Sequence, residues 1–318
     1  MDGIQRGENR IMNLETYRIT CLSEAITPIS HMMGVSGNEA LINREPVLHK
    51  GNTVYLPTIS GNALRHKMIR EYGMNYLISV LGLAGKLNLS QLNFMFTGGS
   101  LEESSVTDNL KRIADMQYLF PLFRVLGGSL KNQILTGSLM VDKALLICEE
   151  HREIIEKMKP DNLELPTDRL LGAESFIGQY QYTRGEASKK KNIDLFLAME
   201  ELNKDREGDK SNLMIYNGQT IIKGSLFFHE IILPNVSYNE LGAVLFSMSN
   251  WQEHGGIIGG KSSIGHGKLK TSIILNMDID INDCIENYKA HVDKTKLAAC
   301  DWLNDAFADK PKKEKVKK

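Results

Sequence analysis

Hydrophobic and polar positions alternate in part over residues 14 to 25, LETYRITCLSEA, a stretch rich in strand-forming residues that Pro28 closes. We predict a first strand there. Residues 29 to 55 are mostly polar and contain glycine without a helical period, which predicts an exposed loop or an irregular hairpin. From the N-cap residue Ser60, apolar residues recur at every fourth position and predict a helix with one buried flank, formed by Leu64, Met68, Tyr72, Tyr76 and Val80.

The remaining patterns extend this alternation of strands and helices. They predict a helix over about 106 to 126 that ends at Gly127, a strand over 134 to 148, and a pair of strands or one long strand over 216 to 233. The best-specified helix begins with a capping box of Ser237 and Glu240, which Val236 and Leu241 staple, and a strand within KLKTSIILNMDI follows it. This order predicts an α+β fold with a ferredoxin-like (RRM-like) βαββαβ core and helical insertions.

The chain shows no linker that would divide it into two autonomous units. We therefore expect a flexible N-terminal segment over 1–13, one folded domain over 14–275, a peripheral C-terminal helix over 276–305 and a disordered Lys-rich tail over 306–318.

Composition narrows the class of protein. Hydrophobic residues make up 42% of the 318 positions and charged residues 24%, as in soluble globular proteins. We find no apolar run of about eighteen residues and no secretory signal, so we expect a cytoplasmic protein without a membrane segment. The four cysteines are widely spaced and the histidines lack metal-ligand spacing, which predicts reduced, mostly buried thiols and neither a metal nor a cofactor.

Positive charge is clustered although the formal net charge is only −1. Basic residues concentrate at 63–70, 188–192 and 265–270 and in the tail, and such local patches govern binding to phosphate. Cations at the start of the first helix oppose its dipole, at about 0.3–1 kcal/mol each. Either an anion binds there, or Lys67 pairs with Glu71 on the next turn.

Residues 255 to 262, GGIIGGKS, satisfy the P-loop expression GxxxxGK[ST], so a nucleoside-triphosphatase is one alternative. A P-loop needs a strand before it and a helix after it. Here a predicted helix comes first and a strand comes last, which argues against that alternative. The glycine-rich loop, defined as residues 255–267, would instead offer backbone amides and polar side chains to phosphate oxygens, or would form a tight connection against the first helix.

Four motifs in this order resemble the RAMP superfamily of CRISPR-associated proteins. LPTISGNALRHKMI is similar to its P-G-S-S-L-(K/R)-G segment, and GGIIGGKSSIGHGKL is similar to its C-terminal loop, in which GG precedes a G-x-G. LFPLFRVLGGSLKNQILTGSLMV resembles the stretch of backbone subunits in which an LFG turn precedes a strand. QYQYTRGEASKKKN is similar in placement to their thumb, a protruding hairpin here predicted over about 172–212. Over residues 14 to 275 the chain looks most like a Cas-seven-type backbone subunit of the type IV version.

The resemblance implies a non-catalytic subunit that binds CRISPR guide RNA and forms a filament with copies of itself. Other effector subunits would join it in a ribonucleoprotein used in antiviral and anti-plasmid defence. The thumb, inserted into the ferredoxin-like core, would cross the guide at regular intervals. The spacer would then be presented for pairing with target DNA, or with target RNA. Short polar and basic groups suit such a role because they grip phosphate and sugar without reading the base sequence.

Carried over residue by residue, the resemblance implies RNA contacts in several segments. The implied residues are His31; Ser60, Asn62, Arg65 and His66 at the first helix; Lys131; Arg184, Lys189, Lys190 and Lys191 in the thumb; and Gly260, Lys261, Ser262, His266 and Lys268 at the glycine-rich loop. Met32 and Met33 lie beside His31, where packing is their alternative role. Tyr180 and Tyr182 either serve the thumb or alternate as core residues.

One departure from the family bears on catalysis. Type III backbone subunits that cleave target RNA use an aspartate between the first strand and the first helix. The segment GVSGNEALINREPVL has Asn43 or Arg44 near that place, and its carboxylates are Glu39 and Glu45. We therefore expect no cleavage and interpret Glu45 as a solvated loop residue. An RNA endonuclease of the same superfamily, cutting target or precursor RNA, is the alternative.

Overall fold

A computed structural model describes residues 14–36, 39–99, 110–130, 133–184 and 214–307. In chain order its strands are β1 (Glu15–Ala25), β2 (Met32–Ser36), β3 (Glu39–Ile42), β4 (Arg44–His49), β5 (Asn52–Ile59), β6 (Gly128–Leu130), β7 (Gln133–Leu135), β8 (Met140–Val141), β9 (Ala144–Leu146), β10 (Ile177–Arg184), β11 (Met214–Ile221), β12 (Leu226–Val236) and β13 (Leu269–Leu275). The helices are α1 (Gly61–Leu64), which continues through a π-helical stretch (Arg65–Glu71) into α2 (Tyr72–Val80), then α3 (Leu89–Thr97), α4 (Leu110–Leu119), α5 (Pro121–Leu126), α6 (Arg152–Met158), α7 (Tyr238–Glu253) and α8 (Ile281–Ala306).

The main sheet has the order β13-β1-β12-β9-β5-β4, with β8 also paired to β12, which makes seven strands in the described part of the chain. All of its pairings are antiparallel. The strands β1, β9, β12 and β13, together with the first helix and α7, give the order of a ferredoxin-like βαββαβ core. The protein therefore has the predicted α+β fold, and the β4–β5 hairpin extends the sheet at one edge.

The hydrophobic core lies between this sheet and the helices. Ile19 on β1 and Phe227 on β12 are fully buried from the sheet side, and Leu241, Val244 and Trp251 are buried from α7. The strand β12 is buried along most of its length, as expected for a central strand, because both of its faces are covered. The helix α7 begins as predicted at Ser237, whose backbone N–H donates to Glu240 Oε2 at 2.6 Å.

The first helix begins at Ser60, where the hydroxyl accepts from the Ala63 amide at 3.2 Å. Its predicted buried flank is only partly right. After Leu64 and Met68 the helix buries Ile69, Met74 and Leu77, while Tyr72, Tyr76 and Val80 are half-buried. The π-helical stretch explains the difference, because its wider turns use more residues and move the buried face along the sequence.

A second sheet has the order β10-β11-β3-β2. The prediction of an exposed loop over 29 to 55 is therefore wrong for most of that segment, which forms β2, β3, β4 and β5. The register of β2 with β3 shifts between Met32 and Gly34, so the hairpin is irregular. Pairing of Gly218 on β11 with Ala40 on β3 attaches this hairpin to a strand far along the chain. A single-sequence pattern does not report such a distant partner.

Two other predicted elements are divided in the structure. The helix predicted over 106 to 126 is α4 and α5, since Phe120 interrupts it and Pro121 opens the second helix; residues 100–109 lie outside the described part. The strand predicted over 134 to 148 is β7, β8 and β9. Between β7 and β8, a Cβ on Gly137 would lie 2.5 Å from Val125 O, so this backbone passes directly against α5. The segment predicted over 216 to 233 is the pair β11 and β12.

The C-terminal helix α8 contributes Cys284, Tyr288, Trp302 and Leu303 to the main core. The predicted flexible N-terminal segment, and the tail from residue 308, lie outside the described residues. Three of the four cysteines are buried. Among the described helices, none combines the length and the apolarity that crossing a membrane requires.

Candidate functional site

Four segments that are distant in sequence meet beside the start of the first helix. They are the connection between β1 and β2, the N-cap Ser60, the β10–β11 hairpin and the glycine-rich loop. Ser30 forms an isolated bridge with Gly260, and its hydroxyl lies 2.7 Å from His266 Nδ1. The structure thus brings together segments in which most of the predicted RNA-binding residues lie.

The glycine-rich loop follows the chain before β2 closely, and its glycines make this approach possible. The Gly260 amide donates to Ser30 O at 2.8 Å, and the Gly267 amide donates to Pro28 O at 2.9 Å. A Cβ on Gly259 would lie 2.6 Å from Ser30 O, and one on Gly267 would lie 2.3 Å from Ile258 O. Gly267 also has a positive φ of 95°, which favours glycine. The loop is therefore a tight, defined connection.

Lys261 has the unusual backbone conformation of this loop, with φ 65° and ψ 22° in the left-handed region. Its Nζ donates to Tyr182 Oη at 2.8 Å and lies 4.6 Å from the centre of that ring. The hydrogen bond to Tyr182 raises the pKa of Lys261, so the ammonium stays charged at neutral pH. Ser262 and Lys268, the other predicted residues of this stretch, are exposed.

His266 lies between the loop and the β10–β11 hairpin. Its ring meets the Tyr180 ring edge-on, with centres 5.3 Å apart, while its Nδ1 faces Ser30. Burial, followed by the nearby charge of Lys261, lowers the pKa of His266. The neutral imidazole is consequently favoured, and it can act as a hydrogen-bonding group rather than as a cation.

Three tyrosines form a ladder along the hairpin. Tyr180 and Tyr182 stack at 6.2 Å between ring centres, and Tyr182 stacks on Tyr216 at 5.1 Å. All three are half-exposed and lie outside the hydrophobic core. The interpretation of Tyr180 and Tyr182 as alternating core residues is therefore wrong.

His31 connects the first helix to β2. Its Nε2 accepts from the Ser60 amide at 3.1 Å, and its carbonyl accepts from the Asn43 amide at 2.7 Å. Burial lowers the pKa of His31, which keeps Nε2 available as an acceptor. Asn62 is exposed on the first helical turn, and Met33 beside His31 is 70% exposed. His31 thus fixes the start of the first helix against the segment before β2, while Asn62 and Met33 remain accessible.

The cations at the start of this helix have protein partners. Arg65 Nη2 donates to the Leu126 carbonyl at the end of α5. Lys67 Nζ lies 2.6 Å from Glu71 Oε2, and His66 Nε2 lies 3.8 Å from the same oxygen. Pairing of Lys67 with Glu71, one of the two explanations for these charges, is therefore confirmed. The contact of Arg65 with RNA stays a prediction. Its guanidinium already donates a hydrogen bond to the Leu126 carbonyl.

Lys131, Lys189, Lys190 and Lys191 lie outside the described residues. Arg184 is the last residue of β10.

Glu45, the carboxylate weighed as a catalytic group, and its neighbours Asn43 and Arg44 have protein partners. The interpretation of Glu45 as a solvated loop residue is wrong, because it lies on β4 with a 16% exposed side chain and its Oε2 is 2.5 Å from Lys143 Nζ. Arg44 pairs with Glu174 at 2.7 Å, and Asn43 Nδ2 donates to Thr58 Oγ1 at 3.1 Å.

The P-loop alternative fails on architecture. The glycine-rich loop leaves the end of α7 and enters β13, so a helix precedes it and a strand follows it. The amides of a P-loop open a helix, whereas here only a short 3-10 turn, Ser262–Ile264, occurs within the loop.

Ser30 and Tyr216 are site residues that the sequence did not indicate. Ser30 contacts His266 across 236 positions, and Tyr216 reaches the site only because β11 pairs with β10. The one available signal for Tyr216 was its position opposite Tyr182 on the hairpin, and this signal requires knowledge of the strand register.

Comparison with known proteins gives a fold relation. No protein-family model matches the sequence, and the comparison with curated proteins found no match. The chain is similar to a chain of a solved structure described as "Type IV-B CRISPR Complex", with a TM-score of 0.55 and 16% sequence identity. The likeness covers 83% of this chain and 92% of that chain. At this identity it shows a shared fold over most of both chains.

Proposed function

We propose that this protein is a guide-RNA-binding backbone subunit of a CRISPR effector complex, most like the type IV version. The observation that carries the proposal is the shared fold with a chain from a type IV-B CRISPR complex. The resemblance of the four sequence motifs points the same way, and three of those motifs supply residues to the candidate site.

The chemistry of the site supports binding to an RNA backbone. Lys261 supplies a charged ammonium, and Asn62 and Ser262 are exposed polar side chains. Such groups bind phosphates and sugars of any sequence and leave the base edges free for pairing with a target. Copies of the subunit would follow one guide as a filament with other effector subunits, and the guide would pair with target DNA, or with RNA.

We further propose that the subunit is non-catalytic. Glu45 is engaged by Lys143, and the Nε2 of His31 accepts a backbone hydrogen bond, so neither group is poised as a free acid or base. Target cleavage would then belong to partners.

Co-purification with RNA tests the proposal. The chain, expressed together with a guide, is expected to retain RNA of uniform length that is protected in regular steps. Recovery as an RNA-free monomer that binds ATP would overturn it. If the wild type cleaves labelled RNA and the Glu45→Ala or His31→Ala variant does not, the endonuclease alternative is established instead.

Salt dependence tests the mode of binding. Lys261→Ala is expected to weaken RNA binding to a similar extent for unrelated sequences and to reduce the magnitude of the negative slope of log K against log salt by about 1. Lys294→Ala, an exposed lysine on α8 remote in sequence from the site, serves as the matched control and should change neither quantity. An effect of Lys261→Ala on some RNA sequences and not on others would contradict backbone binding.

A further inference from the structure

Lys261 is held by the hairpin and does not extend freely into solvent. Its ammonium donates to Tyr182 Oη at 2.8 Å and lies over two rings of the ladder, 4.6 Å from the centre of Tyr182 and 5.9 Å from that of Tyr180. A cation close to the face of a tyrosine ring is attracted by the electrons of that face. The lysine therefore makes a directional bond and a ring contact with the same strand, β10.

The backbone of the loop is specialised for this contact. Lys261 adopts the left-handed conformation, which a side chain disfavours, between Gly260 and the 3-10 turn that follows. Unfavourable conformations of this kind persist where surrounding contacts stabilise them. The contacts with Tyr182 and Tyr180 are such contacts.

The hairpin side of the contact is also defined. A Cβ on Gly218 of β11 would lie 2.5 Å from the Tyr180 ring, so the ring rests directly on that glycine. The Tyr180 ring also lies nearly perpendicular to that of His266, whose Nδ1 faces the Ser30 hydroxyl at 2.7 Å. Two residues of the glycine-rich loop, Lys261 and His266, thus contact neighbouring tyrosines of one hairpin.

We propose that Lys261 and Tyr182 form a latch that fixes the β10–β11 hairpin on the glycine-rich loop. Tyr182 is in turn a positioning residue that orients the Lys261 ammonium. An ammonium has three donors, and Tyr182 takes one of them, which leaves donors for a phosphate. Placement of the hairpin and binding of phosphate therefore depend on the same lysine. The binding of phosphate by Lys261, but not the latch, rests on the proposed function.

Hydrogen exchange on the RNA-free protein tests the latch. Tyr182→Phe removes the acceptor and keeps the ring, and Lys261→Met removes the charge and keeps much of the side-chain length. Both variants are expected to speed amide exchange in β10 and β11 while exchange in the core strands β1 and β12 is unchanged. Tyr55→Phe, at a 60% exposed tyrosine on β5, is the matched control and should leave the exchange of β10 and β11 as in the wild type. Unchanged exchange of β10 and β11 in both latch variants would overturn the latch.

A double-mutant cycle on RNA affinity tests the positioning role. Tyr182→Phe is expected to weaken RNA binding by roughly two- to tenfold in the wild-type background, the effect of one hydrogen bond, and to have no effect in the Lys261→Met background. A simple structural role of Tyr182 would give losses that multiply, and that result would overturn the positioning role. Absence of RNA binding by the wild type would refute the proposed function, while the exchange measurement would still decide the latch.

Discussion

At the scale of single residues, His229 is the least compensated polar side chain of the main sheet. It lies on the central strand β12, opposite Cys21 of β1, with 1% of its surface exposed. Neither ring nitrogen has a hydrogen-bond partner among the described residues. Burial lowers its pKa from 6.5 to about 4, because the charged imidazolium would lose its hydration there.

This residue predicts a specific acid sensitivity. As the pH falls, the unfolded chain binds a proton near pH 6.5, whereas the folded chain binds it only near pH 4. The contribution of His229 to stability is therefore complete above about pH 6.5 and is lost between about 6.5 and 4, to an extent on the order of 3 kcal/mol. Chemical unfolding at a series of pH values should show this loss in the wild type and a shallower dependence in His229→Leu. Identical pH profiles would show that His229 is not responsible.

Two glycines of the glycine-rich loop form a matched pair. Gly267 and Gly265 both have positive φ, but a Cβ on Gly267 would lie 2.3 Å from Ile258 O, whereas one on Gly265 meets open space. We expect Gly265→Ala to lower the free energy of unfolding by about 1–2 kcal/mol through backbone strain alone. Gly267→Ala adds a backbone collision, for a total of roughly 2–4 kcal/mol. Denaturant unfolding of both variants measures the difference, and equal losses would contradict the close packing described for Gly267.

At the scale of elements, Arg65, which the sequence predicted to contact RNA, joins the first helix to α5 by a hydrogen bond. Arg65 donates to the Leu126 carbonyl, and desolvation by burial lowers its pKa. We expect Arg65→Ala to lower the free energy of unfolding by about 1–3 kcal/mol, because a charged hydrogen bond to a helix end is lost. Thermal or chemical unfolding checks this value.

The exposed neighbour Asn62 supplies the control for this prediction. Asn62→Ala should leave stability within about 0.5 kcal/mol of the wild type. An Arg65→Ala variant with wild-type stability but weaker RNA binding would assign Arg65 to the RNA and not to the fold.

Element prediction succeeded where local signals were strong. The sequence correctly predicted the strand β1, the Ser60 cap and the capping box of α7, because caps and hydrophobic periodicity depend on residues only a few positions apart. For residues 29 to 55 the exposed loop was wrong and the irregular hairpin was right for β2 and β3, but the pairing of this segment with distant strands such as β11 and β9 was missed. Element prediction also missed the π-helical stretch, which changes the buried face of an otherwise regular helix.

At the scale of the whole molecule, α8 is part of the main core and not an appendage to it. Leu303 is fully buried, whereas Leu297 on the same helix is 80% exposed. We expect Leu303→Ala to lower the free energy of unfolding by about 2–5 kcal/mol. Leu297→Ala should change it by no more than about 0.5 kcal/mol. Denaturant unfolding checks both, and a single cooperative transition whose midpoint falls only with Leu303→Ala would show that α8 folds with the sheet. Equal small effects would contradict this role.

The candidate site depends on the whole molecule in the same way. The sequence indicated Lys261, His266 and Ser60 from their motifs, since glycine spacing and caps are local features. It did not indicate that Lys261 binds Tyr182 or that Ser30 faces His266. Those contacts join positions 79 and 236 residues apart.

By itself, the sequence determined the order of the strands and helices of the ferredoxin-like core, the α+β class, and the glycine-rich loop between a helix and a strand, which excludes a P-loop arrangement. These features follow from periodicity, caps and glycine, which act over a few residues. Only the tertiary structure decided that the loop and the β10–β11 hairpin form one surface, that Glu45 and Arg65 have protein partners, and which tyrosines stack. These outcomes depend on sheet register and close packing, which bring together groups that no local pattern connects.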